Sequence, residues 1–506
     1  MKYSILFSFL FLWFNYTAAQ TVINRSYDLS GGPDNAFNLI ADTNGFYINA
    51  GRLCEGTSDF CSVLFRANTD GDSLWQVVYD YEPEIAIFDY AHDKVNNYLY
   101  ACGAYFGFGT DRIPFIMKLR ENGDTVWLKT YTATYWDTAQ DIKLTPDGDL
   151  VIGIQGGSFN QFANWTVLKA DTSGTLLWQT TIDDDVDYTY GGQLATLENG
   201  DIMLTYYYDL DGFDRAYAVS KLDAQGNTQW IKNYDIGTNR FGTLISTHPD
   251  GGVVTCWSKD TFSLEYQVSG SNFFVRRLDD EGESVWKYIQ FHDSRRETYG
   301  MTVANNGDIV LCGLTRSSEL GGEYYSWLAR ISPDGELLWE RFYSYPATTF
   351  SANPFKDVTE TPDGGLAMCG LIRDTIPGQP QALNDNVWLV KVGADGCLTP
   401  NCQDSIIYLT HTREAGNALT QAKEVFFRAF PNPASGPLQV QFYNPVRYRS
   451  AHLRVFNMQG QQLWQAPLQK GTQELEIPAG QWASGLYLLQ YEADGRVLQV
   501  EKVVRE

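Results

Sequence analysis

The chain has 506 residues, of which 44% are hydrophobic, 19% charged and 14% aromatic. This length exceeds what one ordinary hydrophobic core supports, so we expect a large repeat domain or several domains, and the composition excludes a mainly disordered polymer. The net charge of −24 would repel phosphate backbones and anionic lipid surfaces, and we therefore expect no nucleic acid partner.

The N-terminus has the pattern of a secretory signal peptide. Lys2 precedes an apolar run over 5–14, and Thr17-Ala18-Ala19 supplies the small residues that a signal peptidase requires. We therefore predict a signal peptide at 1–19, with cleavage after Ala19. The alternative of an uncleaved anchor is disfavoured because a membrane-spanning helix needs about 20 apolar residues. No later stretch is a spanning candidate, so we expect no transmembrane segment after signal removal.

The eight cysteines fall into two groups, and in an exported chain cysteines favour disulfides. Cys54 with Cys61, and Cys397 with Cys402, lie close in sequence, and we predict that each pair is bonded. The others occur at one position of different repeats and are interpreted as small buried side chains: Cys102, Cys256, Cys312 and Cys369.

The main signal is an internal repeat built from four short patterns, named a to d. Pattern d occurs in seven copies that end in glycine, and these glycines are spaced 52, 51, 52, 56, 53 and 61 residues apart. Each copy has a base at its fifth place: Arg66, Lys118, Lys169, Lys221, Arg277, Arg330 and Lys391.

Pattern a opens with a tryptophan four residues after six of these glycines. These are Trp75, Trp127, Trp178, Trp230, Trp286 and Trp339. The seventh copy is missing after Gly396, whereas an a-like segment over 22–27 stands alone at the start of the mature chain. A last sheet that is completed by this first segment would have no open edge.

Patterns b and c surround a turn signal of the Asn-Gly or Asp-Gly type, which favours a two-residue hairpin. The fifth place of pattern c is small in every repeat, so we expect neighbouring sheets to approach closely there. These residues are Ala50, Cys102, Gly153, Thr205, Cys256, Cys312 and Cys369.

Four strands in each of seven repeats predict an all-β fold: a seven-bladed β-propeller over 20–402, with blade order b, c, d, a from the axis outward. The rival is an open β-solenoid, which would not explain the split repeat. The d-to-a segments resemble the tryptophan-docking repeats of pyrroloquinoline-quinone propellers, which implies that the indoles pack between blades. The cofactor is not carried over, because the Asp-to-Gly interval is shorter and the predicted blade number differs.

The C-terminal part lacks the repeat. We interpret 403–428 as a linker, and 429–506 resembles the type A C-terminal sorting domain of proteins exported by the type IX secretion system. The landmarks that carry this resemblance are Pro431, Asn432, Pro433, Gly485, Tyr487 and Lys502. It implies a small β-sandwich, the type IX machinery as a partner, and a secreted or cell-surface location. The alternative is an immunoglobulin-like adhesion module.

A propeller with this blade order carries its longer loops, c-to-d and a-to-b, on one face, and ligand binding is expected there. Aromatic residues are frequent in these loops and suit sugar faces or protein hot spots. The candidate ligand-binding residues are Tyr105, Phe106, Tyr135, Trp136, Tyr188, Tyr190, Tyr207, Tyr208, Tyr324 and Tyr325. The alternative for any single ring is that it packs one loop against another.

Two acidic runs on the same face, Asp183 to Asp187 and Asp209 to Asp214, lack the spacing of a calcium loop and are interpreted as solvated. The five histidines are scattered, and we find no nucleophile elbow, so no catalytic residue, metal or cofactor is predicted. The leading hypothesis is a non-enzymatic binding module for a glycan or a protein. The alternatives are a secreted polysaccharide hydrolase with paired carboxylates, and a spacer without a ligand.

Overall fold

The computed structural model describes residues 21–54, 60–81, 84–106, 112–131, 137–156, 165–182, 189–209, 215–237, 239–263, 268–290, 295–316, 323–345, 352–376, 379–399, 402, 404–409, 412–414, 427–430, 434, 436–442, 446, 450–457, 461–493 and 496–505. Within these ranges the chain is all-β apart from one short 3-10 helix, Ala479–Gln481. The predicted signal peptide lies outside them. No helix of the described residues has the length and hydropathy needed to span a lipid bilayer.

The repeat region consists of antiparallel units in which strands pair in the order b, c, d, a, as predicted. Its strands are β1 (Ile23–Tyr27), β2 (Asp34–Asp42), β3 (Gly45–Leu53), β4 (Phe60–Ala67), β5 (Ser73–Tyr79), β6 (Glu84–Asp93), β7 (Tyr98–Phe106), β8 (Arg112–Arg120), β9 (Thr125–Thr130), β10 (Thr138–Leu144), β11 (Leu150–Gln155), β12 (Trp165–Ala170), β13 (Leu176–Thr181), β14 (Thr189–Thr196), β15 (Ile202–Asp209), β16 (Arg215–Leu222), β17 (Thr228–Gly237), β18 (Asn239–Thr247), β19 (Val253–Ser263), β20 (Val268–Leu278), β21 (Ser284–Gln290), β22 (Arg295–Val303), β23 (Ile309–Arg316), β24 (Tyr324–Ile331), β25 (Leu337–Ser344), β26 (Phe355–Glu360), β27 (Leu366–Ile376) and β28 (Gln379–Val392).

We number the units in chain order. Units one to four are the separate four-stranded sheets β2–β5, β6–β9, β10–β13 and β14–β17. Units five and six, β18–β21 and β22–β25, are joined by a single parallel bridge between Ser271 and Arg295. Unit seven contains β26, β27 and β28, and its fourth strand comes from the other end of the repeat region.

That fourth strand is β1. It pairs antiparallel with β28, from Ile23 opposite Lys391 to Tyr27 opposite Val387. This is the pairing that the isolated a-like segment predicts. Tyr27 is fully buried and Ile23 is 2% exposed, so the N-terminal strand belongs to the core between the last unit and the first.

Neighbouring units contact each other through their first strands. The contacting pairs are β2 with β6, β6 with β10, β10 with β14, β14 with β18, β18 with β22, β22 with β26, and β26 with β2. Hydrogen bonds join several pairs: the amide of Ile142 donates to Asp89, and that of Leu39 donates to Asp357 over 2.8 Å. The second bond links unit one to unit seven across 318 residues of sequence.

The b–c turns of units three to seven differ from the predicted two-residue hairpins, whereas in unit one β2 and β3 pair as far as Asp42 opposite Gly45 and leave two residues between them. In the third unit the amide of Thr145 donates to Asp149 O and that of Gly148 donates to Thr145 O, which encloses a three-residue loop. Gly148 has a φ of +87°, the left-handed conformation that such a loop requires at its last position. Units four to seven repeat these two bonds, so the turn glycines are explained by this geometry.

Two predicted c-to-d loops are partly strands. β19 and β20 pair as far as Ser263 opposite Val268, and β27 and β28 pair as far as Ile376 opposite Gln379. Most of the predicted loops over 258–272 and 371–386 therefore extends units five and seven as long hairpins.

The segment predicted as a linker contributes two short strands to the repeat units: β29 (Ile406–Tyr408) and β30 (Thr412–Glu414). β29 pairs parallel with β25, and β30 pairs parallel with β1. Leu409, between them, is fully buried. We call residues 404–409 and 412–414 the strap; its two strands cover the outer edges of units six and seven.

The C-terminal region forms two further sheets, with strand orders β31-β32-β35 and β34-β33-β36-β37. Its strands are β31 (Phe427–Phe430), β32 (Leu438–Phe442), β33 (Ala451–Asn457), β34 (Gln462–Leu468), β35 (Glu474–Ile477), β36 (Gly485–Ala493) and β37 (Arg496–Arg505). The sheets share one core that contains Phe427, Leu453 and Tyr491. This agrees with the small β-sandwich implied by the resemblance.

The cysteine predictions are confirmed. Disulfides join Cys54 to Cys61 and Cys397 to Cys402. The free cysteines of the described residues are all buried: Cys102, Cys256, Cys312 and Cys369.

Candidate functional site

The tryptophans of pattern a lie against the terminal glycine of the following unit. Trp127 packs on Gly174 so closely that a Cβ added there would lie 2.9 Å from the indole. The same contact recurs from Trp75 on Gly123 to Trp339 on Gly396. Every one of these indoles is half-buried, so each combines a packed face with an edge toward solvent.

We call each of these contacts between neighbouring units a joint, and in most joints a hydroxyl group adds a hydrogen bond. Tyr79, four residues after Trp75, donates to Gly123 O over 2.9 Å, and Tyr343 donates to Gly396 O over 2.6 Å. Tyr27 of β1 donates to Gly71 O in the same manner, over 2.5 Å. The N-terminal strand therefore joins unit seven to unit one with the contact that tryptophan strands make elsewhere.

The base of pattern d has a structural partner. Arg66 contacts Asp42 over 2.8 Å, Lys169 contacts Asp147 over 2.7 Å, and most of these pairs link a d strand to a b–c turn of its own unit. The base is largely buried in these pairs, whereas the carboxylate ranges from largely buried, as in Asp42, to exposed, as in Asp147. The regular spacing of bases is thereby explained without a ligand.

The predicted ligand-binding aromatics separate into three groups. Tyr208 and Tyr325 are 7% and 5% exposed, which leaves little surface for a ligand and corrects their assignment to an open face. Phe106, Tyr207 and Tyr324 are half-buried, as is Tyr105, which packs against Phe115. Tyr190 lies in β14. The described residues do not include the remaining candidates, Tyr135, Trp136 and Tyr188. They also leave out most of the two acidic runs and the segment Pro431 to Pro433.

An arginine lies over each of three half-buried rings at the c–d end of units two, four and six. Arg112 lies 5.1 Å from the Phe106 ring, Arg215 lies 5.0 Å from Tyr207, and Arg316 lies 5.3 Å from Tyr324. Guanidinium groups near aromatic faces form cation–π contacts that stiffen both side chains. The rings are presented on the face that also carries the a-to-b crossings; we call it the loop face.

Two buried carboxylates near the first strands share one lysine. Lys143 Nζ donates to Asp89 over 3.0 Å and also contacts Asp141. Burial raises the pKa of Asp89 to about 8, although Lys143 opposes this, whereas Lys143 and nearby hydrogen bonds hold the pKa of Asp141 below its usual range despite burial. Sequence reasoning missed this group, because its members come from different units.

A cavity of about 420 Å³ opens on the opposite end of the units, which we call the turn face because it carries the b–c and d–a turns. Its walls come from units four, five and six and include Glu198, His248, Asp280 and Asn305. His248 is 5% exposed, and burial lowers the pKa of its imidazole. The sequence placed His248 on this face and did not indicate a cavity.

Cys54, Cys61 and Asp80 bring three potential metal-ligand atoms within 4.8 Å of one another. Since both sulfurs are joined in a disulfide, they are not available as thiolate ligands.

The landmarks of the C-terminal region occupy ordered positions. Gly485 begins β36, Tyr487 donates its hydroxyl to Ala483 O over 2.7 Å, and Lys502 lies opposite Leu488 in β37. Residues 428–506 match the family described as secretion system C-terminal sorting domain. The chain is thus a type IX secretion substrate, destined for the cell surface or for release.

No curated protein matches the chain. Among solved structures, a protein of unknown function from Bacteroides caccae is 12% identical, with a TM-score of 0.35, over 62% of this chain and 94% of that one. A protein of unknown function from Dyadobacter fermentans is 12% identical, with a TM-score of 0.37, over 62% and 97%. A puromycin hydrolase is 13% identical, with a TM-score of 0.41, over 84% and 62%. These likenesses are too weak to support a statement about activity.

Proposed function

We propose that this secreted chain is a seven-bladed β-propeller that acts as a non-enzymatic binding module, for a glycan or another protein, through its loop face. The observation that carries the binding role is the set of arginine-covered rings Phe106, Tyr207 and Tyr324. A rigid aromatic ring with a polar rim suits the face of a sugar or the centre of a protein interface.

Closure of the seven units into one ring is part of the proposal. It is supported by the pairing of β1 with β28, by the hydrogen bond from Leu39 to Asp357, and by the bond from Tyr27 to Gly71. The tryptophan-on-glycine contacts support a docking role like that of pyrroloquinoline-quinone propellers, without the cofactor. A closed ring would hold the loops of different units at fixed separations, as multivalent recognition requires.

The binding role is tested on a glycan array and by pull-down of surface proteins with the mature chain. We expect binding that falls by about tenfold or more when Phe106, Tyr207 and Tyr324 are replaced together by alanine. Trp136→Ala tests the neighbouring loop. Leu177→Ala is the matched control, because Leu177 is exposed on the outer strand of unit three. Binding that survives the triple replacement would refute the loop-face assignment.

A polysaccharide hydrolase is the alternative, and the pair Asp89 and Asp141 is the observation that favours it. The pKa values of these two carboxyl groups are shifted in opposite directions, and a protonated and an ionised carboxyl group can serve as general acid and general base. Both also accept amide hydrogen bonds from the next unit, from Ile142 and Leu194, which gives them a structural role. Release of reducing sugar from a polysaccharide panel, abolished by Asp141→Asn in a folded variant, would establish the hydrolase and overturn the binding module.

A further inference from the structure

The first strand of most units is irregular at one equivalent place. In β2 the pairing with β3 shifts between Ala36 and Asn38, so Phe37 is an extra residue without a partner opposite it. Units two, three, four, six and seven have the same shift in β6, β10, β14, β22 and β26. The extra residues there are Phe88, Gln140, Gly191, Tyr299 and Lys356.

The exposure of these side chains indicates that they face the axis of the proposed ring. Each first strand contacts the first strands of both neighbouring units, which cover its two sides. Phe37 is nevertheless 43% exposed, and the other extra side chains are half-buried. Units six, seven, one, two and three are consecutive if the ring closes as in the proposed function, on which this inference rests. Their extra residues then form one continuous row, which we call the axial arc: Tyr299, Lys356, Phe37, Phe88 and Gln140.

Interactions between units support this convergence on the axis. The Lys356 ammonium of unit seven lies 3.8 Å from the centre of the Tyr299 ring of unit six. Burial raises the pKa of Asp357 in unit seven to about 6, and the Lys143 ammonium of unit three is among the groups that oppose this rise. Units three and seven are not neighbours, so Lys143 and Asp357 approach each other across the axis.

The axial arc lies at the loop-face end of the axis. Every first strand runs from an a-to-b crossing on the loop face to a b–c turn on the turn face. The carboxylates Asp89, Asp141 and Asp357 each come directly after an extra residue in the sequence. A guest that enters from the loop face therefore meets the axial arc first and the carboxylates beneath it.

Lys356 is the charged group of the axial arc. Its ammonium forms no hydrogen bond or salt bridge with the residues that the structure describes and lies over the Tyr299 ring instead. Burial lowers the pKa of Lys356, and the Glu297 carboxylate, which accepts the Tyr299 hydroxyl, only partly offsets this effect. A half-buried ammonium without a hydrogen-bond acceptor is stabilised most by an anionic guest.

Phe37 and Gln140 add two further preferences. A flat, exposed ring such as that of Phe37 suits the apolar face of a sugar. The Gln140 side-chain amide donates to the Thr138 hydroxyl over 2.7 Å, which leaves the Gln140 side-chain carbonyl as an acceptor for a sugar hydroxyl. The net charge of −24 disfavours a long polyanion, so a guest with one acidic group is favoured over a guest with many.

We propose that the axial arc binds one acidic sugar residue, such as a uronic acid at the end of a glycan, with its carboxylate on Lys356 and its apolar face on Phe37. The ammonium selects the carboxylate, and the exposed ring together with the amide carbonyl selects a sugar over other small acids. The inference thus narrows the glycan of the proposed function to one with an acidic end.

The test is calorimetric titration of the mature full-length chain with methyl β-glucuronide at low ionic strength. Methyl β-glucoside is the neutral probe with the same ring, and N-acetylphenylalanine is a carboxylate without a sugar. We expect saturable binding of the glucuronide, weakened by about tenfold or more with Lys356→Met or Phe37→Ala. Lys356→Arg should stay within about threefold of the parent chain, because a guanidinium also binds carboxylates.

Both weakening variants should remain folded, since methionine keeps the aliphatic stem of Lys356 and Phe37 is exposed. Their thermal unfolding midpoints check this. Lys129→Met is the matched control: it removes the same charge from an exposed lysine whose ammonium lies 5.6 Å from the Trp127 ring on an outer strand. Its affinity for the glucuronide should stay within about twofold of the parent chain.

The inference is overturned if the parent chain shows no saturable binding of the glucuronide, or if the glucoside or N-acetylphenylalanine binds as tightly. It is also overturned if Lys129→Met weakens binding as much as Lys356→Met. Glycan-array binding that is lost with the triple loop-face replacement and kept with Lys356→Met would refute this inference alone. Binding that is kept with the triple replacement and lost with Lys356→Met would refute the loop-face rings and support the axial arc.

Discussion

The joints between units are made in two ways, and their comparison explains how the repeat region is held together. Six joints place a tryptophan of one unit on the terminal glycine of the next. The joint from unit seven to unit one uses β1 instead, with Ile23 and Arg25 on Gly71, the Tyr27 hydroxyl on its carbonyl, and Arg25 2.6 Å from Asp72. Contact with a glycine is therefore common to all seven joints and a hydroxyl bond to most of them, and the indole is one way to supply the apolar surface.

The two kinds of joint differ in what holds them. A tryptophan strand is continuous in sequence with its own unit, whereas β1 is held in unit seven by pairing with β28 on one side and with β30 of the strap on the other. The last joint therefore depends on the N-terminus and on the strap together. Breaking it should affect the molecule more than breaking any other joint.

Removal of residues 20–27 should have the largest effect. The deletion exposes the edge of β28 and takes two core side chains, Ile23 and Tyr27, from the joint. We expect a loss of at least about 5 kcal/mol in the free energy of unfolding, with aggregation through the open edge. Thermal unfolding followed by circular dichroism measures it. An unchanged midpoint would show that β1 is dispensable.

Trp127→Ala should have the next largest effect. Its indole is half-buried, so we expect a loss of about 2 kcal/mol, below the 3 to 5 kcal/mol typical of a fully buried tryptophan. Urea denaturation compares it with Leu177→Ala, an exposed outer-strand change that should stay within about 0.5 kcal/mol. Equal losses would mean that the indole does not support the joint.

Asp89→Asn should change the pH dependence of stability. Burial raises the pKa of Asp89 to about 8 in the folded chain, above its usual 3.8, so its contribution to stability is fully present below about pH 4 and is lost as the pH rises through 8. The free energy of unfolding of the variant should therefore not show this decline with pH, which is up to about 1.4 kcal/mol per pH unit between pH 5 and 7. Asp357, with a pKa of about 6, keeps part of the slope in both proteins. Parallel stability curves would contradict the shift.

Tyr343→Phe should have the smallest effect, because it removes one hydrogen bond and keeps the buried ring. The Gly396 carbonyl loses its donor, and we expect a loss of about 1 kcal/mol. Tyr27→Phe should reduce the free energy of unfolding by about the same amount if the joint between units seven and one is built like the others. Tyr408→Phe is the control, since Tyr408 is 67% exposed. A much larger loss for Tyr27→Phe would show that the last joint works differently.

Features that recur along the chain could be predicted from the sequence. The strand order, the orphan first strand, the small fifth place of pattern c and both disulfides follow from spacing and are present. Periodicity reports them because each copy must meet the same packing demand. The terminal family match agrees with the motif-based prediction for the C-terminal region.

Other features that occur once, unlike the first strand and the two disulfides, could not be predicted. The strap was interpreted as a linker because strands of three residues carry no detectable alternation, and their parallel partners lie far away in the sequence. The turn-face cavity and the pair Asp89 and Asp141 depend on which units become neighbours. For the same reason, the sequence could not show which of the six candidate rings with a described burial are buried and which are half-buried.

The sequence by itself determined the repeat unit, the positions of its turns and its export, since strand periodicity, turn glycines and a terminal signal are local properties. Only the tertiary structure decided which carboxylates share a lysine, which rings stay accessible and where a cavity opens. Those properties arise from side chains of different units meeting in space, and no pattern within one unit contains them.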